Sequence, residues 1–224
     1  MTDPSSTETA GSRHVFETLA SETVFSGGIL ALRKDQVMMP GGSVVEREVV
    51  EHHSAVAVVA IDDRERVVLI DQYRHPLGRR LLELPAGLLD VPGEDPATAA
   101  ARELAEETGL AAGRWSVLVD VALSPGFMDE TLRVYLAQDL SVTEQPDPEH
   151  EEADIITVRL PIDEAVRRTL SGEIENATAV AGLLAFAAVR SGGITPRPAG
   201  APWPGRPTAF DTRKAAEAAA RAGR

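Results

Sequence analysis

Gly87-Leu88-Leu89-Asp90-Val91-Pro92-Gly93-Glu94-Asp95-Pro96-Ala97-Thr98-Ala99-Ala100-Ala101-Arg102-Glu103-Leu104-Ala105-Glu106-Glu107-Thr108-Gly109-Leu110 is the stretch whose reading decides this chain. A loop rich in Gly and Pro feeds a short helix with clear punctuation. Asp95 suits the N-cap, Pro96 the first helical position and Gly109 the stop. Positions three and four apart share a helix face, so Glu103, Glu106 and Glu107 fall within an arc of about 100°. Ala97, Ala101, Leu104 and Ala105 form the opposite face, small enough for close approach to a sheet. Carboxylates this close repel by roughly 0.2–0.5 kcal/mol per pair unless a cation sits among them. No Lys lies one turn away and Arg102 falls just off the arc, so the three are expected to stay unneutralised by the chain itself. Hard divalent cations are the natural occupants of an oxygen-only cluster, Mg²⁺ first and Mn²⁺ as an alternative.

Strand patterns flank this helix. From Phe16 to Val50 apolar and β-branched residues alternate with polar ones, and Pro40-Gly41-Gly42 supplies a hairpin turn between Gln36–Met39 and Ser43–Val50. Ser54–Ile61 is a nearly continuous apolar run, which predicts a strand buried on both faces, and Val67–Tyr73 follows after a charged turn. Arg74–Arg80 reads as a polar loop and Leu81–Pro85 as a short strand. Further strands are expected over Trp115–Leu123, Leu132–Leu140 and Ile155–Leu160, with helices over Ile162–Leu170 and Ala177–Arg190. Helices interspersed with a mixed sheet give an α+β fold, an α/β/α sandwich preceded by an N-terminal β region. The expected organisation is a disordered segment 1–13, the β region 14–50, a main domain 51–190, and a Pro- and Gly-rich linker and tail 191–224, with a marginal helix and solvated charges over Arg213–Arg224.

Composition narrows the classes of function. The 224 residues carry a formal net charge of −13, which argues against a nonspecific nucleic-acid binder. There is no Cys, so disulfides, thiolate metal sites and Cys nucleophiles are excluded. The N-terminus lacks the basic and apolar regions of a signal peptide, and the apolar stretch around Ala179–Val189 is too short to span a bilayer. A soluble, cytoplasmic protein is expected.

Residues 102–110, Arg-Glu-Leu-Ala-Glu-Glu-Thr-Gly-Leu, closely resemble the second half of the Nudix hydrolase signature, G-x5-E-x7-R-E-U-x-E-E-x-G-U, at every fixed position. Glu94 stands at the required distance before Arg102. Gly87 and Glu94 are separated by six residues where the signature has five, a change in the loop that leaves the helix register intact. Beyond the box, Ser124-Pro125-Gly126, Gln72-Tyr73-Arg74, the Leu82–Gly87 entry and the Gly172–Asn176 connector resemble the ADP-ribose pyrophosphatase subfamily. The resemblance implies metal-dependent hydrolysis of a small nucleoside diphosphate substrate, ADP-ribose giving AMP and ribose 5-phosphate. It also implies a homodimer with a swapped N-terminal region.

It further implies roles. Glu103, Glu106 and Glu107 would bind metal, with the Ala86 carbonyl as a further ligand, Glu103 and Glu107 acting directly in catalysis. Gly87, Glu94 and Arg102 would be structural, the last two as an ion pair tying loop to helix. The base would come from the acidic loop Glu149–Asp154, and two alignments that differ by one residue leave Glu152 and Glu151, in that order. Arg74 would meet the substrate phosphates, helped by Arg79 or Arg80. Arg47, Glu48 and Glu51 lie where relatives contact the adenosine part, and Pro125, Gly126 and Phe127 belong to the substrate marker. Phe16, Phe25 and Phe127 are the few aromatic candidates for stacking on adenine. Two alternatives stand beside this reading: hydrolysis of another nucleoside diphosphate derivative, and a sensor that binds ADP-ribose without cleaving it.

Overall fold

The computed structural model describes residues 14–146 and 154–223. The segment 1–13 and the base candidates Glu151 and Glu152 lie outside the described residues.

The chain opens with three antiparallel strands, β1 (Thr18–Ser26), β2 (Leu30–Met38) and β3 (Val44–His52), which form a sheet of their own. The expected turn at Pro40-Gly41-Gly42 joins β2 to β3, with Met38 opposite Val44. A second sheet follows. Its first strands are β4 (Ala55–Ile61), β5 (Arg66–Arg74), β6 (Arg79–Glu83) and β7 (Ala86–Leu88), with a 3₁₀ turn at His75–Leu77. The helix α1 (Pro96–Thr108) comes next, then β8 (Leu110–Ala122), β9 (Thr131–Val142), β10 (Ile156–Pro161), α2 (Ile162–Leu170) and α3 (Ala177–Arg190). A two-residue strand β11 (Arg197–Pro198) and α4 (Ala209–Ala222) complete the described chain.

The larger sheet runs β10-β5-β4-β9-β8-β11, with β6 added to β5 and β7 to β4. The β4–β9 pair is parallel and its neighbours are antiparallel, so the sheet is mixed, as expected. Every residue of β4 is buried, because the strand feeds two cores at once. Ala57, Val59 and Ile61 pack with Ile162, Leu183 and Phe186 of α2 and α3. Val56, Val58 and Ala60 face Ala99, Ala100 and Leu104 of α1 on the other side. Side chains that alternate faces along a strand therefore make the sandwich.

The segment 191–224 is expected to be linker and solvated tail, yet its described residues, 191–223, are docked against the rest of the molecule. Phe210 is 1% exposed and meets the His53 ring edge-on at 4.7 Å between centroids. Asp211 accepts from His53 Nδ1 at 2.7 Å, and Arg213 Nε donates to Glu51 at 2.7 Å. Upstream, the buried Arg133 donates to the Ala201 and Pro202 carbonyls and lies 4.7 Å from the centre of the Trp203 ring. Composition alone hides this, because one apolar anchor in an Ala-rich charged run gives no periodic stripe.

Candidate active site

The helix α1 begins and ends as its sequence dictates. Asp95 accepts from the Ala97 and Thr98 N–H groups, Pro96 opens the helix, and Gly109 closes it with φ of 65° in the left-handed region. Its rotation differs from the expected one. Of Ala97, Ala101, Leu104 and Ala105 only Leu104 is buried, and the packed face is Ala99, Ala100 and Leu104 together with Glu103 and Glu107. Two of the three glutamates thus turn inward against β7, and Glu106 sits on the rim.

What lets them in is Gly87. A Cβ built there would stand 2.0–2.4 Å from the Glu103 carboxylate atoms, so the backbone must be bare for that carboxylate to lie against it. Glu107 accepts from the neighbouring Ala86 N–H at 2.9 Å. β7 is itself fixed by pairing with β4, Val56 opposite Gly87 and Ala57 opposite Ala86. The carboxylates are therefore registered against the central strand of the sheet.

The expectation that no protein cation reaches the cluster is corrected. Arg102 forms a two-bond ion pair with Glu94, at 3.1 and 3.0 Å, and its Nη1 also donates to Glu103 at 2.7 Å and Glu106 at 2.9 Å. A long, forked side chain can lean across an arc that its Cα does not share. The Glu94 hydrogen bond, aided by Glu103 and Glu106, holds the guanidinium well above its ordinary pKa, and Arg102 holds the Glu94 carboxyl below its own. One guanidinium among four carboxylates leaves the cluster strongly anionic. Among the described residues no three acidic, His or Cys side chains already converge as a metal cage. The donor set, all oxygen, anionic and laid in a cradle that a Cβ would fill, fits a hard divalent cation.

A cleft of about 610 Å³ opens beside this face, reached through Ala86 and Gly87. Arg74 lines it, its Nε and Nη2 donating to the two Glu83 oxygens at 2.8 Å each. Asn176, His52 and Glu130 line it too. Burial pushes the Glu130 carboxyl up, against the pull of His52 at 3.7 Å. Sequence reasoning missed Glu83 and Glu130. A lone acid inside the apolar run Leu81-Leu82-Glu83-Leu84 was the available signal for the first. A second cavity, about 630 Å³, lies between α4 and the loop Leu89–Gly93, and Arg74, Ala86 and Gly87 do not line it.

The other expected residues are scattered. Arg79 is exposed and paired with Glu175, while Arg80 bonds Asp71 at 2.7 Å and also Asp154. Arg47 and Glu48 are exposed on β3. Glu51, 2% exposed, is held between Arg33 at 2.6 Å and Arg213 at 2.7 Å. Pro125 and Gly126 lie in a turn, and the Phe127 carbonyl accepts from Val50 N–H at 2.7 Å, which hooks this turn to the end of β3. Phe127, Phe16 and Phe25 are all exposed, and none lines the cleft.

Comparison with known proteins agrees with this geometry. The family model for the NUDIX domain matches residues 51–181. The chain is 57% identical over 202 residues to an ADP-ribose pyrophosphatase of Mycobacterium tuberculosis (strain ATCC 25618 / H37Rv), covering 90% of this chain and 98% of that one. It is 37% identical over 161 residues to an ADP-ribose pyrophosphatase of Bacillus subtilis (strain 168), covering 72% and 86%. The crystal structure of an ADP compounds hydrolase superposes with a TM-score of 0.68 at 24% identity, over 80% of this chain and 95% of that one, which supports the fold. With the domain model matching more than half of the chain and the Mycobacterium tuberculosis relative aligned over 90% of it, the chain belongs to the Nudix family.

Proposed function

We propose that this chain hydrolyses the diphosphate bond of ADP-ribose, releasing AMP and ribose 5-phosphate, with Mg²⁺ as its metal and Mn²⁺ as a substitute. The observation that carries the reading is the anionic face of α1 laid against the bare backbone of Ala86 and Gly87, which line a cleft together with Arg74. The identity of 57% to an ADP-ribose pyrophosphatase along nearly its whole length supports the choice of substrate.

The reaction sets water against a phosphorus surrounded by negative oxygens, so positioning and electrostatics must supply most of the rate. Glu103, Glu106 and Glu107, with the Ala86 carbonyl, would hold the metal. A divalent cation held there would supply charge neutralisation at the diphosphate and a more acidic water. Gly87 keeps Glu103 against the backbone, and the Glu94–Arg102 pair ties the loop to the helix. Arg74 grips the diphosphate from the cleft wall. Glu152 or Glu151 accepts the proton of the attacking water, from a loop whose end at Asp154 is tied to Arg80. Arg47 and Glu48 reach the adenosine of a substrate bound to a second copy, while Glu51 serves by holding Arg33 and Arg213 in place. Exposed Phe16, Leu19, Val24 and Phe25 on the N-terminal sheet support pairing with that second copy. The acidic, Cys-free composition is compatible with work on small nucleotides in the cytoplasm.

The test is a panel of ADP-ribose, other ADP-sugars, dinucleotides and nucleoside triphosphates, read by AMP release with and without Mg²⁺. Turnover confined to triphosphates, or binding of ADP-ribose without cleavage, would overturn the reading.

A further inference from the structure

We propose that Glu83 is a positioning residue that sets the orientation in which Arg74 meets the substrate diphosphate. The inference rests on the reading of Arg74 given above. Antiparallel pairing of β5 with β6, Arg74 opposite Arg79 and Ile70 opposite Glu83, lays the two side chains along one edge of the cleft. Glu83 is 3% exposed, and both of its oxygens are committed. Oε1 accepts from Arg74 Nε and Oε2 from Arg74 Nη2, each at 2.8 Å, a fork-to-fork geometry that fixes the guanidinium plane as well as its distance.

The carboxylate is anchored in turn. Asn176 Nδ2 donates to Oε2 at 2.8 Å, and the same side chain caps α3, its Oδ1 accepting from Ala179 N–H at 2.9 Å. A chain of defined contacts therefore runs from the N-terminus of a packed helix, through Asn176 and Glu83, to Arg74. Arg74 is more than a third exposed, and the fork to Glu83 restricts the directions open to its rotatable stem. Glu83 touches no reacting atom in this account and acts only by holding the group that does.

Four variants of the full chain test the inference by steady-state kinetics with ADP-ribose and Mg²⁺: Glu83→Gln, Asn176→Ser, Arg74→Lys and the Glu83→Gln/Arg74→Lys double variant. Gln offers one acceptor where Arg74 needs two, so an NH₂ group meets one of its donors. The expected result for Glu83→Gln is a rise in KM of about tenfold or more, a smaller change in kcat, and an unaltered Mg²⁺ concentration for half-activation. Lys keeps the charge of Arg74 and loses the fork. In that background Glu83→Gln should add little. Asn176→Ser keeps a capping oxygen and removes the donor to Glu83, so it should raise KM in the same direction by a smaller factor, and it stands in if Glu83→Gln loses cooperative unfolding. Independent, multiplying effects of the two substitutions, or a shift in Mg²⁺ activation in place of KM, would overturn the role of Glu83. Normal KM in Glu83→Gln beside a raised KM in Arg74→Lys rejects Glu83 alone, whereas normal KM in Arg74→Lys rejects the reading of Arg74 beneath it.

Discussion

Gly87→Ala adds one methyl group at the point where the site has least room. The new Cβ would stand 2.0 Å from Glu103 Cδ, where ordinary contact begins near 3.4 Å, so carboxylate and backbone must part by about 1.4 Å. Glu103 is buried and bonded to Arg102, and β7 is paired with β4, so neither partner can yield cheaply. Overpacking of this kind typically costs about 1–3 kcal/mol of stability. The larger effect falls on catalysis, where a misplacement of about 1 Å costs on the order of a hundredfold. The backbone of Gly87 is outside the left-handed region, so Ala is conformationally acceptable there and the clash is the cause. Gly93→Ala supplies the contrast. It has φ of 79° and nothing within 4 Å of its Cβ position, so it strains the loop without touching Glu103. The assay is kcat and the Mg²⁺ activation constant with ADP-ribose, alongside thermal unfolding. Gly87→Ala should lose about a hundredfold in rate and require more Mg²⁺, and Gly93→Ala should lose about 1 kcal/mol of stability at near-normal turnover. Wild-type rate and metal dependence in Gly87→Ala would refute the argument.

Three further outcomes are expected. Glu152→Gln and Glu151→Gln, made separately, should divide sharply, one losing at least about a hundredfold in kcat and the other little; equal, small effects would remove the base from that loop. Phe210→Ala should cost about 3 kcal/mol in urea unfolding and speed amide exchange throughout α4, and unchanged exchange there would show that the aromatic is not its anchor. Arg102 holds the Glu94 carboxyl below the ordinary range, so the stability it confers is present above the unfolded-state pKa and is lost as pH falls through the lower folded-state value. The gap in unfolding free energy between wild type and Glu94→Gln should therefore be widest above the ordinary carboxylate range and narrow as pH falls below it, and a gap independent of pH would contradict the pairing.

Where residues act on their sequence neighbours, the chain was legible. Asp95, Pro96 and Gly109 bound α1 at the expected positions, α2 and α3 span the expected residues, and Asn176 caps α3. The double-faced burial of β4 follows from its unbroken apolar run. The acidic helix itself could be read, yet its rotation could not, because β7 and Gly87 fix it through tertiary contact and helical geometry does not. The reach of Arg102 depends on a side-chain rotamer, which spacing between Cα atoms cannot specify. Glu83 is tied to Arg74 by strand register and to Asn176 across 93 residues, a separation over which no local pattern carries information. Phe210 finds its place against His53 for the same reason, and a lone aromatic in an Ala-rich run gives no sign of it.

The clamp made by α4 has a consequence for the order in which the molecule matures. Glu217 accepts from Ser26, Lys214 donates to the Gly27 carbonyl and Arg213 to Thr23, across 191, 187 and 190 residues. Strands made early in translation thus wait for a brace that leaves the ribosome much later, and closing so long a loop is slow. A nascent chain stalled before residue 209 would carry a hairpin sheet that lacks these three hydrogen bonds and the Arg213 bond to Glu51. Release of the brace from the ribosome is then the step that completes the packing of the N-terminal sheet.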